Sequence, residues 1–390
     1  MVALGVWVIG PAGNVGACTI AGWAAVRAEL LPPTGLVTAA PPLSELPLAP
    51  LDDVVFGGHE IGGRSVADAV RGLVAEGILP AAVVEAAPVR AALAATAAEV
   101  CRGVTGLVGW DAFERVRGDL ARFRDRHGCA HVVVLNVAST EARPDGLEQV
   151  PATPDGLFEA LRGGLRLPAS AIYAAAALDL GLAYVNFTPS TGSDLPALHA
   201  LALARGAVHA GSDGKTGQTL IKTALAPMFA IRRLQVNSWV SHNILGNDDG
   251  RALDDPGPRA AKQHSKGASL AAILGYAPES RVGIDYVPSY GDWKVAWDRI
   301  CFEGFGGAQM TLELTWRGSD TSLAAPLCID LIRLAALAQR QGERGVLAHL
   351  AVFFKNPIGS SEHRLELQWL ALIGHLLPVI GADLAVEAAP

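Results

Sequence analysis

"VALGVWVIGPAGNVGACTIAGWAAVRAEL", residues 2–30, decides the fold. Its first part, "VALGVWVIG", is a nearly unbroken apolar run, the pattern of a strand buried on both faces of a parallel sheet. "PAGNVG" follows, then the alanine-rich, helix-forming "ACTIAGWAAVRAEL". The glycines fall at Gly10, Gly13 and Gly16. Strand, Gly-x-x-Gly-x-x-Gly and helix together make the opening of a dinucleotide-binding domain. The spacing departs from Gly-x-Gly-x-x-Gly, so taken alone the stretch also suits a plain strand-to-helix turn.

Further along, the alternation continues. "LDDVVFGGHEI" reads as a second strand, with Glu60 just past its tip, where a carboxylate could accept a ribose hydroxyl or simply face solvent. "AHVVVLNVAST" is a third buried strand ending in small polar residues, and strand tips are where a doubly wound sheet binds ligands. "LAYVNFTPS" and "GAVHAGSD" extend the series, preceded by helical "ASAIYAAAALDL" and "LPALHALALAR". Strands alternating with helices imply a parallel sheet. After about residue 220 the texture changes. "LQVNSWVSHNIL" is strand-like, "GNDDGRALDDPGPRAAKQHSKGAS" is polar and loop-like, and "AQMTLELTWRG" sets Leu312, Leu314 and Trp316 on one face of a half-buried antiparallel strand. "APLCIDLIRLAALAQR" returns to helix. A second, sheet-containing unit inserted into the first is the implied organisation.

Composition bounds the function. With 390 residues and 51% of them hydrophobic, the chain can bury a core for two domains or one large domain with an insertion. A net charge of −7 argues against a nucleic-acid or anionic-membrane surface, so any anion binding is expected to be local. No segment reads as a membrane span: "LPASAIYAAAALDLGLAYV" carries Asp179 and breaks at Gly181. The basic start and cleavage site of a signal peptide are missing. The five cysteines are scattered without a Cys-x-x-Cys pair, which suits reduced thiols in a cytoplasm. The ten histidines form no His-x-His spacing.

"GSDGKTGQT", residues 211–219, looks at first like a phosphate loop. A P-loop needs a glycine five residues before its second one, and that position is His209. What remains is a glycine-rich turn before a run, "LIKTALAPMF", that can open a helix: either a local anion site or an ordinary strand-to-helix turn. The loop also holds the first lysine. Only six of the 31 basic residues are lysines, at 215, 222, 262, 266, 294 and 355. Codon bias explains the scarcity, but not why four of the six sit in dense polar motifs. Unlike arginine, lysine can be tuned by burial or a neighbouring cation to exchange protons.

From about Val6 to Pro357 these segments, in this order, resemble the myo-inositol-1-phosphate synthase family, particularly its bacterial branch. "GPAGNVG" looks like the family's dinucleotide loop, with Val15 where a second asparagine is usual. "FGGHEI" puts His59 and Glu60 where Trp and Asp are common, and "NVASTEAR" is similar to a Thr-Ala-Asn-Thr-Glu-Arg stretch. "GSDGKTGQT", "SHNILGNDDG", "KQHSK", "GDWKVAWD", "GSDTSLAAPLCIDL" and "FFKNP" complete the series. The resemblance implies an α/β fold: an NAD-binding Rossmann-type doubly wound sheet with an inserted α/β catalytic and tetramerisation domain. It divides the chain into residues 1–219, an inserted 220–322, and 323–390 returning to the first domain. It also implies a cytoplasmic homotetramer acting on a sugar phosphate, with no nucleic-acid or membrane partner.

The family reaction isomerises glucose 6-phosphate into a cyclitol phosphate by oxidation, enolisation, intramolecular aldol closure and reduction. NAD is tightly bound and regenerated each turnover, and a divalent or monovalent cation is a further possibility. Carried over by resemblance, the cofactor contacts are Gly10, Ala12, Gly13, Asn14, Val15, Gly16, Glu60, Ala138, Thr140, Asp213, Asp320 and Thr321. Thr216, Gly217, Gln218 and Thr219 would hold the phosphate, and Asn243, Asn247 and Asp249 the sugar hydroxyls. The catalytic set is Lys262, Lys266, Lys294, Lys355 and Asp213. Lys262 and Lys266 are four apart, hence on one face if helical, an arrangement that also suits a solvated surface. Lys262 and Lys294 are assigned to proton transfer, Lys266 to phosphate and oxyanion charge, and Lys355 to the enolate or C1 oxygen. Lys222 falls outside the set and is expected on the helix after the loop, where arginine should replace it with little effect. His59, Val15 and Asp248 keep open a cyclase for another hexose phosphate, such as fructose 6-phosphate closing to a five-membered ring. A catalytically dead NAD-binding sensor is the alternative from another class, and the retained lysines argue against it.

Overall fold

The computed structural model describes residues 4–246 and 270–387. Lys262, Lys266, Asn247, Asp248 and Asp249 lie outside these residues. The chain divides into two compact units: Met1–Gly214, Ala324–Ser360 and Leu372–Pro390 form the first, and Lys215–Leu323 with Ser361–Ala371 form the second.

The first unit is built on seven strands: β1 (Leu4–Ile9), β2 (Val54–Glu60), β3 (Val100–Arg102), β4 (His131–Asn136), β5 (Ala183–Asn186), β6 (Val208–Gly211) and a later strand, Gly345–Val346, at one edge. Taking that edge strand first, the order is Gly345–Val346, β6, β5, β4, β1, β2, β3, and every pairing is parallel. Every residue of β1 is buried, as are all but the first of β4, which is why these strands read as continuous apolar runs. β1 pairs with β2 on one side and β4 on the other, so the strand order reverses at its C-terminal tip. That reversal is the point at which doubly wound sheets bind ligands, and the Gly10 turn leaves β1 there.

The helices around this sheet bury small residues. Nine of the eleven residues of the helix Ala169–Asp179 are buried, because alanine lets it pack closely among Phe113, Val116, Leu120 and Tyr184. The helix Asp320–Arg340 is long and apolar enough to cross a membrane by length and composition, but 72% of its most apolar window is buried inside the fold. It does what a core helix does.

The second unit is built on four strands: β7 (Gln235–Leu245), β8 (Glu279–Tyr286), β9 (Trp293–Glu303) and β10 (Gln309–Ser319), in the order β10, β9, β7, β8. β9 runs antiparallel to both β10 and β7, while β7 and β8 are parallel. The helix Gly217–Ile231 packs Ala226 and Phe229 against Val236, Trp239 and Ile300. The Phe229 ring stands edge-on to Trp239 and to Phe302 at 6.2 and 5.0 Å. As its alternation predicts, β10 half-buries Leu312, Leu314 and Trp316 and exposes Glu313, Thr315 and Arg317.

Candidate functional site

In the first unit the glycine turn is shaped for close approach. A Cβ on Gly16 would lie 2.6 Å from the carbonyl oxygen of Gly10, and one on Gly10, which has φ +85°, would lie 3.0 Å from Cα of Ala138. The helix Asn14–Arg27 therefore starts hard against the strand tip, with Gly13 as its N-cap and no side chain capping it. Its first N–H groups lack helical partners, which is the anion-binding arrangement of a dinucleotide turn. Glu60 ends β2, accepts Ala12 N at 3.0 Å and takes Ile61 N and Gly62 N on its other oxygen, both at 2.9 Å. A carboxylate offers about four acceptor positions, so one remains for a hydroxyl. Asn14 accepts from Arg64 at 3.0 Å, Val15 is half-buried and Thr140 is exposed. The residues present fit a dinucleotide.

His59 is not part of that surface. It is 2% exposed, with Nδ1 2.8 Å from the Tyr173 hydroxyl and Nε2 3.0 Å from Asp119. It serves as a buried link between β2 and two helices.

Also in the first unit, the loop after β6 is clamped by the later segment "FFKNP". Ser212 and Asn356 exchange backbone hydrogen bonds at 2.9 and 3.2 Å, and Lys355 N donates to Asp213 O at 2.7 Å. Asp213 adopts φ +62°, an uncommon conformation for a residue with a side chain. Its Oδ1 accepts Lys355 Nζ at 2.8 Å. A Cβ on Gly214 would meet the Phe187 ring at 2.0 Å, so glycine alone fits there.

The second unit holds another lysine–aspartate pair. Lys294 on β9 donates to Asp320 Oδ2 at 3.0 Å, and Thr216 Oγ1 donates to Asp320 Oδ1 at 3.3 Å. A Cβ built on Gly217 would sit 3.3 Å from Asp320 Oδ1 and 3.8 Å from Lys294 Nζ. The N-terminal end of the helix Gly217–Ile231 thus meets a lysine from β9, an aspartate from the helix Asp320–Arg340 and its own N-cap threonine. Thr321, the neighbour of Asp320, gives its hydroxyl to the buried Asp292 at 2.6 Å, and Ser319 bonds the same carboxylate. Asp292 fixes the backbone on which Asp320 stands.

Behind this turn lies a buried polar chain. Gln218 donates from Nε2 to Asp298 Oδ2 at 3.0 Å and accepts Asn243 Nδ2 at 2.9 Å. Asp298 also receives Trp239 Nε1 at 2.8 Å and Ser241 Oγ at 2.6 Å, and it is 0% exposed. The resemblance brought Gln218 forward as a phosphate contact and Asn243 as a sugar contact; the fold brings them to each other. Asp298 went unassigned, although the signal was available. Ala296, Asp298 and Ile300 occupy the inward positions of an alternating strand, and a carboxylate there must be bonded.

Lys222 corrects the expectation of a tolerant helix position. It is 2% exposed, and its ammonium stands 5.8 Å from the centroid of Trp239 with no hydrogen-bond partner among the described residues. Burial pushes its pKa down to about 8, with Asp298 pulling the other way. Asn243 Oδ1 is buried without a hydrogen-bond partner among the described residues. Lys215, the lysine of the glycine-rich loop, is buried too. It donates to Gln368, and burial lowers its pKa to about 8.

A seven-stranded parallel sheet with a glycine turn at its reversal point defines a dinucleotide-binding α/β protein. A family model described as myo-inositol-1-phosphate synthase matches residues 4–376. Inositol-3-phosphate synthase 1 of Bacteroides thetaiotaomicron is 32% identical over 418 aligned residues, covering 97% of this chain and 96% of that protein. Among solved structures, inositol-3-phosphate synthase from Caenorhabditis elegans shares the fold at TM-score 0.82 and 22% identity, over 97% of this chain and 86% of that one. A myo-inositol-1-phosphate synthase-related protein from Thermotoga maritima gives 0.79 at 23% identity, over 95% and 97%. The chain belongs to the myo-inositol-1-phosphate synthase family, a family of NAD-binding isomerase–cyclases.

Proposed function

We propose that this chain converts glucose 6-phosphate into 1D-myo-inositol 3-phosphate. The observation that carries the reading is the Lys294–Asp320 pair at the open end of the Gly217–Ile231 helix, where an anionic, proton-exchanging substrate finds both donors and a proton carrier. Bound NAD would accept a hydride from C5 of the sugar and later return it. The Gly10–Gly16 turn, Glu60, Ala138 and Thr140 would hold that cofactor.

This chain's residues then divide the remaining work. The first-turn N–H groups and hydroxyls of Thr216, Gly217, Gln218 and Thr219 bind the phosphate. Asn243, Asn247 and Asp249 serve the sugar hydroxyls. Because Gln218 and Asn243 bond each other, their first task is to hold the helix turn in place. Lys294 takes the hydroxyl proton and can share it with Asp320, and Lys262 is the second proton-transfer group. Lys266 and Lys355 supply positive charge to the phosphate, the enolate and the C1 oxygen. Asp213 orients Lys355. Lys222 joins this set as a buried positive charge behind the phosphate-binding turn. The inserted segment, residues 220–322, is the catalytic and tetramer-forming domain, and a cation is an optional aid.

Incubating the protein with NAD and glucose 6-phosphate, and separately fructose 6-phosphate, tests the reading by NMR of the products. The expected outcome is a six-membered cyclitol phosphate from glucose 6-phosphate without net NADH. A five-membered cyclitol from the ketose would move the assignment to the related cyclase. No cyclitol from either sugar would refute both.

A further inference from the structure

Three side chains that the sequence scatters meet in the first unit: Glu343, His349 and His375. Each sits on a different element. Glu343 follows the long helix in a Schellman turn: Gly342 has φ +75°, Gly342 N bonds Gln339 O, and Glu343 N bonds Ala338 O, both at 3.0 Å. His349 lies in the short 3₁₀ helix Ala348–Phe353, and His375 on the helix Leu365–Glu387. The turn and the 3₁₀ helix fix two of the three backbones independently of the third.

We propose that Glu343, His349 and His375 form a binding site for one divalent transition-metal ion of the zinc class, with a water or another small ligand completing the shell. The potential ligand atoms, one from each residue, all lie within 4.8 Å of one another. In a tetrahedral site with metal–ligand bonds near 2.0–2.2 Å they would stand about 3.4 Å apart, so modest side-chain rotations close the set. The two imidazoles are stacked with centroids 3.7 Å apart and planes 9° from parallel. Each must turn to aim a lone pair at a shared ion. His375 Nε2 stands 3.2 Å from Glu343 Oε1, close enough to share a proton. A metal would take the place of that proton, as it does wherever a ligand binds in its deprotonated form. Two neutral imidazoles and a carboxylate are a familiar zinc donor set. Hard ions such as Mg²⁺ and Ca²⁺ prefer all-oxygen shells, which selects against them here. None of the three residues belongs to the proposed catalytic set, so the proposal does not rest on the catalytic reading.

Chelator-treated full-length protein titrated with Co²⁺ and Zn²⁺ tests the site. The expected result is one Co²⁺ per chain with visible absorption bands of low, tetrahedral-like coordination, displaced by Zn²⁺, with Zn²⁺ raising Tm. His375→Gln and Glu343→Gln change partly exposed side chains and should preserve the fold. Each should weaken binding by at least the ~10–100-fold that loss of an outer-shell partner costs and abolish the Tm rise, with cyclisation unchanged. His349→Gln should do the same. No Co²⁺ bands in the wild type, or bands that survive in all three variants, would overturn the assignment.

Discussion

Lys222 and Lys294 are both lysines of the second unit, but only Lys294 has a carboxylate bonded to it. The account makes them behave oppositely. Lys294→Arg keeps a cation but cannot give up a proton, so it should retain NAD binding and Tm while losing about 10²–10⁴ in the rate of product formation. Lys222→Met removes a buried ammonium whose pKa falls from 10.5 to about 8, a penalty on the order of 3 kcal/mol. Tm at pH 7 should therefore rise while cyclitol formation slows. The penalty also sets a pH dependence. Between pH 8 and about 10.5 the unfolded chain binds more protons at this position than the folded one, so stability from Lys222 grows as pH rises through that window. Below pH 8 the full cost is present. Comparing melting curves of wild type and Lys222→Met at pH 7 and pH 9.5 checks it: the stability advantage of the variant should shrink at the higher pH, and a constant gap would contradict the buried-charge account. At this scale the motifs "GDWK" and "FFKNP" singled out two lysines that the fold pairs with carboxylates, Lys294 with Asp320 and Lys355 with Asp213. The sequence was illegible at Lys222, because nothing in "LIKTALAPMF" says which side of the helix meets the Trp239 indole. His59 was misleading in a similar way, since Asp119 and Tyr173, the groups that bury it, are distant in the chain.

Turns decide function at the scale of elements. The Gly10–Gly16 turn was readable from spacing because glycine has a local reason there, the 2.6 Å approach of a would-be Cβ to a carbonyl. The loop around Asp213 was readable only as glycine-rich. Its partners, Phe187 and the segment at Lys355, come from two other parts of the chain. Gly214→Ala is the direct probe. Its methyl would overlap the Phe187 ring, and overpacking of this kind costs about 1–3 kcal/mol. Tm should fall, and turnover should fall with it because Asp213 and Lys355 shift together. Pairing the change with Phe187→Ala should recover part of both, and a wild-type Tm in the single variant would show that the loop is slack. The strands of the second unit show the converse. Period-two alternation announced β10 correctly, yet the same alternation in β9 held the message that Asp298 points inward, and only its three bonded donors give that a meaning.

For the whole molecule, the class of fold followed from the order of strands and helices, while the assembly rests on an edge. β10 is an eleven-residue edge strand whose ladder is paired on one side only among the described residues. Such an edge is a template for another chain unless it is covered. In the proposed homotetramer a second chain would cover it. Light scattering should report four chains at micromolar concentration, and Leu314→Lys should shift the population to smaller species; a wild-type monomer would remove the tetramer from the account. The central claim is narrower than assembly: the hydride taken from the sugar returns to the same molecule. Glucose 6-phosphate carrying deuterium at C5 tests it most directly, with unlabelled NADH added in excess. The account predicts a cyclitol phosphate that keeps the deuterium on the corresponding carbon, with no deuterium entering the free NADH pool. Loss of deuterium from the product into that pool would contradict it.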